Sequence, residues 1–223
     1  MTIIEALNER RSIRGFLPDP VPRETIEKIL AAAVRAPSSE NIQPWEFTII
    51  TGEPLRKIGA ENVMLFENGV PPAPGHEVPK YPEGSDYRRR QVEVGKEIFR
   101  LMDIARNDKD KRIEWVKRGL RYFEAPVAVV ISYDRMLTRQ STLFDIGCVA
   151  QSLCLAAMEY GVATCIQAQG VLYAAPLREY ADIPDNKENV IAIAMGYPDN
   201  DYPANALKTL RDPVTDITAW VGF

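Results

Sequence analysis

The chain has 223 residues and a formal net charge of −4, with 46% hydrophobic and 26% charged residues. That balance suits a globular protein with a real core, and the acidic pI of about 5.3 argues against a nucleic-acid or anionic-membrane surface, which requires a basic face. Cys148, Cys154 and Cys165 sit among apolar residues without a CxxC pair and read as reduced thiols of a cytoplasmic protein. Neither a leader in "MTIIEALNER" nor an apolar stretch of spanning length is expected. With His76 as the only histidine, chemistry that depends on a His triad or a His-rich metal site is disfavoured.

In chain order, residues 2–10 place Ile3, Ile4 and Leu7 on one helical stripe, and 23–36 do the same with Ile26, Ile29, Leu30, Ala33 and Val34. Between them "FLPDPVP" is non-helical because its prolines fix φ. "FTIIT" (47–51) has the β-branched and aromatic content of a strand. Residues 67–90 read as a long, proline-rich irregular connection, with His76 in an exposed loop; connections of that length are usually lids or mobile segments. Helices are expected over 91–105 and 109–121, and a buried strand over 126–132 ("PVAVVIS").

Residues 141–161 are apolar around the whole helix, with Ile146, Val149, Ala150, Leu153, Leu155, Ala157 and Met158. Such a helix must be buried on all faces, in a large core or at a subunit interface. Gly161 stops it, and "VIAIAMGYP" (190–198) is a further strand. The elements describe one α/β or α+β domain with a central sheet and helical layers.

Two stretches carry chemistry. "RRSIRGF" (10–16) sets Arg10, Arg11 and Arg14 around Ser12 in an acidic chain. Three guanidinium groups and a hydroxyl suit a small anion such as phosphate, although a solvated face at a helix end has the same composition. "APSSENIQPWEF" (36–47) crowds Ser38, Ser39, Asn41 and Gln43 into a turn anchored by Pro37, Pro44 and Trp45, which also describes an ordinary polar loop.

In that order and at that separation, the two stretches resemble the FMN-dependent nitroreductase superfamily. The resemblance continues through "YFEAPV" (122–127), "DIGCVAQSLCLAAMEYGVATC" (145–165) and "GYPDNDYPANALKTLRDPV" (196–214). It implies an α+β fold over residues 1–223, with a central, mostly antiparallel sheet flanked by helices and a lid-like loop at about 62–90. It also implies an intertwined homodimer with FMN at the interface.

By position, the resemblance gives the flavin phosphate to Arg10, Ser12 and Arg211, with Arg11 in support and Lys208 as a weaker candidate. It sets Arg14 at the N1/O2 edge of the ring, where its charge stabilises the anionic reduced flavin. Ser38, Ser39 and Asn41 come from the other subunit, and Gln167, Ala168 and Gln169 of "TCIQAQG" lie near N5 and O4. Phe123 lies where a ring shapes the substrate pocket. Arg88, with Arg89 and Arg90, selects an acidic substrate or the NADPH 2′-phosphate, or forms a solvated helix start. Cys165 is a packed thiol and Trp45 a core aromatic.

The implied function is ping-pong hydride transfer from NADPH or NADH through flavin N5 to nitroaromatic or quinone acceptors. The cofactor performs the chemistry and no metal takes part. The same fold also hosts reductive dehalogenases, ene-reductases and flavin-fragmenting enzymes, and a non-catalytic flavin-binding protein would share the phosphate site.

Overall fold

The computed structural model describes residues 1–73, 76 and 79–223. Among them, seven α-helices surround a four-stranded sheet. The helices are α1 (Ile3–Glu9), α2 (Arg23–Ala33), α3 (Gly52–Glu67), α4 (Asp86–Leu101), α5 (Lys109–Leu120), α6 (Arg139–Glu159) and α7 (Ala174–Ala181). The strands are β1 (Glu46–Thr51), β2 (Val127–Asp134), β3 (Ala163–Gln167) and β4 (Lys187–Gly196), in the order β1-β2-β4-β3 with every pairing antiparallel.

The alternation of side chains along a strand divides the core in two. On one face Val127, Val129 and Ile131 of β2 and Ile193 and Met195 of β4 pack on Ile26 and Ile29 of α2 and on Ile146, Val149 and Leu153 of α6. On the other face Ala128 and Val130 of β2 and Ala192 and Ala194 of β4 meet Leu55 and Ile58 of α3 and Leu177 of α7. Because both faces are covered, β2 is a continuous apolar run rather than an alternating one. The result is the expected α+β arrangement of sheet and helical layers.

The connection expected over 67–90 is shorter. Helix α3 continues to Glu67, and α4 starts at Asp86 because the Ser85 hydroxyl accepts from the Arg88 N–H (3.2 Å) and caps it. The irregular chain therefore spans 68–85, of which positions 74, 75, 77 and 78 lie outside the described residues. Arg88, Arg89 and Arg90 stand in the first turns of a helix. The helix expected over 23–36 likewise ends at Ala33.

Two helical expectations need a larger correction. Helix α1 forms, with a reciprocal Thr2–Glu5 capping box, but it buries none of its residues, and Ile3, Ile4 and Leu7 face outward. Helix α6 buries one side only: Phe144 is 74% exposed, and Gly147, Cys148, Gln151, Leu155 and Met158 are exposed or half-buried on the same side. By length and composition α6 is also apolar enough to cross a membrane, contrary to expectation. Its inner side is the centre of the α2/α6 core.

Candidate active site

The arginine-rich segment leaves α1 at Arg10 and runs extended beside the sheet. Ile13 N–H donates to the Thr164 carbonyl of β3 (3.0 Å), and Leu17 N–H donates to the Tyr197 carbonyl just beyond β4 (2.9 Å). These bonds bring Arg10, Ser12 and Arg14 to the end of β3 that carries Thr164 and Cys165. Arg10 and Arg11 line a small depression of about 190 Å³ with Val162, Ala163 and Thr164.

Arg14 lines a separate cavity of about 300 Å³, together with Phe123, Cys165, Gln167, Gln169 and His76. His76 is therefore half-buried in a cavity wall rather than exposed in a loop. Ala168 also lines the cavity. Gln167 is the informative member, since it is only 7% exposed and, among the described residues, neither its amide nitrogen nor its oxygen has a hydrogen-bond partner. A buried amide left unpaired costs about 1–3 kcal/mol. A ligand edge that offers both a donor and an acceptor removes that cost.

Phe123 is presented to the cavity by a strained turn. Tyr122, Phe123 and Glu124 adopt left-handed φ values of 57°, 55° and 55°, each costing a non-glycine residue about 1–2 kcal/mol. Burial of the two rings and a bond from the Tyr122 hydroxyl to the Gly170 carbonyl (2.7 Å) hold it. Gly170 must lack a side chain here, because a Cβ would stand 2.4 Å from the Tyr122 ring and 2.7 Å from Ala192. Phe123 meets Trp115 at 5.9 Å between ring centres. Gln169 is fixed by donation to the Val116 carbonyl (3.2 Å).

Other expected residues lie elsewhere in the chain. Ser38 and Ser39 line a depression of about 800 Å³ with Phe144 and Asp145 of α6. There Ser39 N–H donates to the buried Asp145 carboxylate (3.2 Å), and Glu40, Asn41 and Gln43 are left-handed. Lys208 and Arg211 line a third, with Arg89 and Arg90. Arg211 donates to Thr209 and Leu210, Arg90 pairs with Asp212, and Arg89 pairs with Asp86 and Glu93. Arg88 donates to Gln91 on its own helix and is not part of the Phe123 cavity.

Burial pushes the Cys154 thiol from 9.0 up to about 11, against a Thr164 hydrogen bond and the charge of Arg10. It also raises Cys165, against Arg14, Ser12 and Arg10. Below about pH 9 the thiol is neutral in the folded and unfolded chains alike, and its contribution to stability is fully present. As pH rises from 9 toward 11 the unfolded chain ionises first and that contribution is lost. Urea unfolding midpoints are expected to fall over this window, and to fall less steeply in Cys154→Ala; parallel curves would show that Cys154 does not titrate in this way.

The nitroreductase family model matches residues 7–197. The chain belongs to the nitroreductase family. It is 33% identical to nitrobenzene nitroreductase of Ectopseudomonas oleovorans, over 98% of this chain and 96% of that one. It is 31% identical to 4-nitrobenzoate reductase of Nocardioides sp. (strain LMS-CY), over 92% and 84%. The crystal structure of the FMN and NADPH-dependent nitroreductase NfnB from Sphigopyxis sp. strain HMH matches all of both chains at 31% identity, with a TM-score of 0.90. The nitroreductase fold implied by "RRSIRGF" and "APSSENIQPW" is therefore the fold of this chain.

Sequence reasoning missed Tyr122 and Asn205, which build this region, and Asp145, which holds the Ser39 turn. Tyr122 and Asp145 fall inside stretches quoted for their family likeness, with nothing local to mark a buried hydroxyl or a buried carboxylate. Asn205 lies in "PANAL", where no periodicity singles it out, yet its amide is bonded to the backbone of Arg14 and Gly15.

Proposed function

We propose that the protein is an FMN-dependent nitroreductase that takes electrons from NADPH and passes them to nitroaromatic acceptors, working as a homodimer. The observation that carries this reading is the cavity lined by both Arg14 and Gln167, whose amide has no hydrogen-bond partner among the described residues. A flavin ring offers adjacent donors and acceptors to such an amide and an edge that gathers negative charge on reduction, so the residues present fit the cofactor. Bound there, FMN supplies the hydride exchange between NADPH and the acceptor.

The chain's own residues bind and orient. Arg14 places positive charge where electrons accumulate. Arg10, Ser12 and Arg211 are assigned charge-assisted bonds to the phosphate, with Arg11 in support and Lys208 as the weaker candidate; in one chain Arg211 and Lys208 line a depression with Arg89 and Arg90, apart from the one that Arg10 and Arg11 line. Gln167, Ala168 and Gln169 line the cavity together with Phe123, which shapes the acceptor space. Ser38, Ser39 and Asn41, which one chain holds away from this cavity, come from the second copy. The outward apolar sides of α1 and α6 support that pairing. Three free thiols, two of them buried, fit a cytoplasmic setting.

The test is spectroscopic. Purified protein is expected to carry FMN, to bleach anaerobically with NADPH, and to recover its colour with nitrobenzene or 4-nitrobenzoate. Steady-state rates are expected to give parallel double-reciprocal lines. Arg14→Ala is expected to weaken FMN binding by about 1.5–3 kcal/mol, roughly 10- to 150-fold. Protein that takes up no FMN, or flavin that nitroaromatics fail to reoxidise, overturns the reading.

A further inference from the structure

We propose that Asn205 is a positioning residue for Arg14, setting the guanidinium in the cavity through the main chain that carries it. The inference rests on the reading that this cavity takes FMN.

Asn205 sits in the short turn Pro203–Ala206, 191 positions from Arg14, and is 4% exposed. Its amide is used in full on backbone. The Oδ1 accepts from Arg14 N–H (2.7 Å) and Gly15 N–H (3.1 Å), while Nδ2 donates to the carbonyls of Gly15 (2.8 Å) and Asp199 (2.8 Å). Two donors and two acceptors on one short side chain match this set, and aspartate, leucine or alanine each lose at least two of the four bonds.

The Arg14 side chain has weaker direct support. Its guanidinium donates to the Ser12 carbonyl at 3.3 Å, a long bond within its own segment. The direction of that side chain is therefore governed by the backbone at residues 14 and 15, which is what Asn205 grips. The same segment is seated from another side by Tyr202. A Cβ on Gly15 would come within 2.1 Å of the Tyr202 ring, so only glycine allows this approach. Arg118 lies 4.8 Å from the centre of the Tyr202 ring and reaches the Arg14 carbonyl at 3.4 Å. Its ion pair with Glu124 (2.8 Å) ties the bracket to the turn that carries Phe123.

A residue that acts only on stability and one that acts through Arg14 differ in one measurable respect. If Asn205 sets the Arg14 cation, its loss weakens binding of the reduced, more negative flavin more than binding of the oxidised form. The midpoint potential then moves negative, by about 30 mV for each tenfold difference between the two affinities.

The experiment is a double-mutant cycle on the flavin-loaded protein: wild type, Asn205→Ala, Arg14→Ala and the double variant, with midpoint potential and unfolding temperature both read. Asn205→Ala is expected to shift the potential negative, in the direction of Arg14→Ala, and to add no further shift once Arg14 is gone. Its loss of unfolding temperature is expected in both backgrounds. Asn205→Ser, whose hydroxyl replaces one acceptor, is expected to give a smaller shift, and the same cycle is run with it where Asn205→Ala does not fold. An equal potential shift with and without Arg14, or lowered stability with no shift, overturns the proposal while leaving the flavin reading intact. Wild-type protein that binds no FMN overturns both.

Discussion

Replacing Tyr122 by alanine is expected to lower the unfolding free energy by about 3–5 kcal/mol and to weaken FMN binding with it. The ring is completely buried and packs where Gly170 leaves room for it. The hydroxyl donates to the Gly170 carbonyl, and burial raises the phenol well above its ordinary pKa, which favours the neutral, donating form. Those contacts offset the strain of three successive left-handed residues. Without the ring, Phe123 loses a packing neighbour and the turn keeps only its outer ties, among them the Arg118–Glu124 and Arg121–Glu124 ion pairs, so the wall of the cavity loosens. Tyr122→Phe separates the contributions: it keeps the packing and leaves one buried carbonyl unpaired, at a cost of about 1–3 kcal/mol. Against a typical total of about 5–15 kcal/mol, urea denaturation resolves the two, and flavin fluorescence reads the binding. Equal losses in the two variants would place the effect in the hydroxyl alone, and unchanged FMN affinity in Tyr122→Ala would detach the turn from the site.

The elements that were legible in the sequence are those whose pattern is local. The α2 stripe and the β-branched runs of β1, β2 and β4 announce themselves within a dozen residues. Helices α3 and α7 escaped because Pro54 and Pro176 resemble turn residues. Each stands at the third helical position, where a missing N–H has no helical partner to lose. Strand β3 is five residues long and interrupted by Thr164 and Gln167, so alternation says little. The site divides in the same way. Arg10, Ser12 and Arg14 are adjacent in sequence and could be read as a group, and the likeness of "TCIQAQG" to a known loop led to Gln167. Proline and glycine around His76 speak of a loop, and composition does not say that the loop folds onto the cavity. Asn205 acts across 191 residues, a relation that no spacing rule contains.

Leu155→Glu is expected to convert the protein to a flavin-free monomer that remains folded. Along the outward side of α6, Phe144, Cys148, Gln151, Leu155 and Met158 recur at alternating intervals of four and three, the spacing of a helix–helix seam. Gln151 is the midpoint of the set, with Phe144 and Met158 seven positions to either side. An antiparallel pairing of two copies across a twofold axis therefore sets Phe144 against Met158, Cys148 near Leu155, and Gln151 near its own counterpart, as a self-complementary interface requires. In one chain Leu155 is half-buried, so a carboxylate there can reach water. In the pair it adds two carboxylates to an apolar seam, each costing several kcal/mol without a partner. That is enough to reduce association by about a thousandfold or more. The single chain also holds Ser38 and Ser39 apart from the Arg14 cavity, so separation removes their contribution to the cofactor. Sedimentation velocity with absorbance at a flavin wavelength measures mass and cofactor together, and circular dichroism reports the fold. A dimer that persists would exclude this face of α6 as the seam. A folded monomer that keeps its FMN would show that each chain builds the whole site alone.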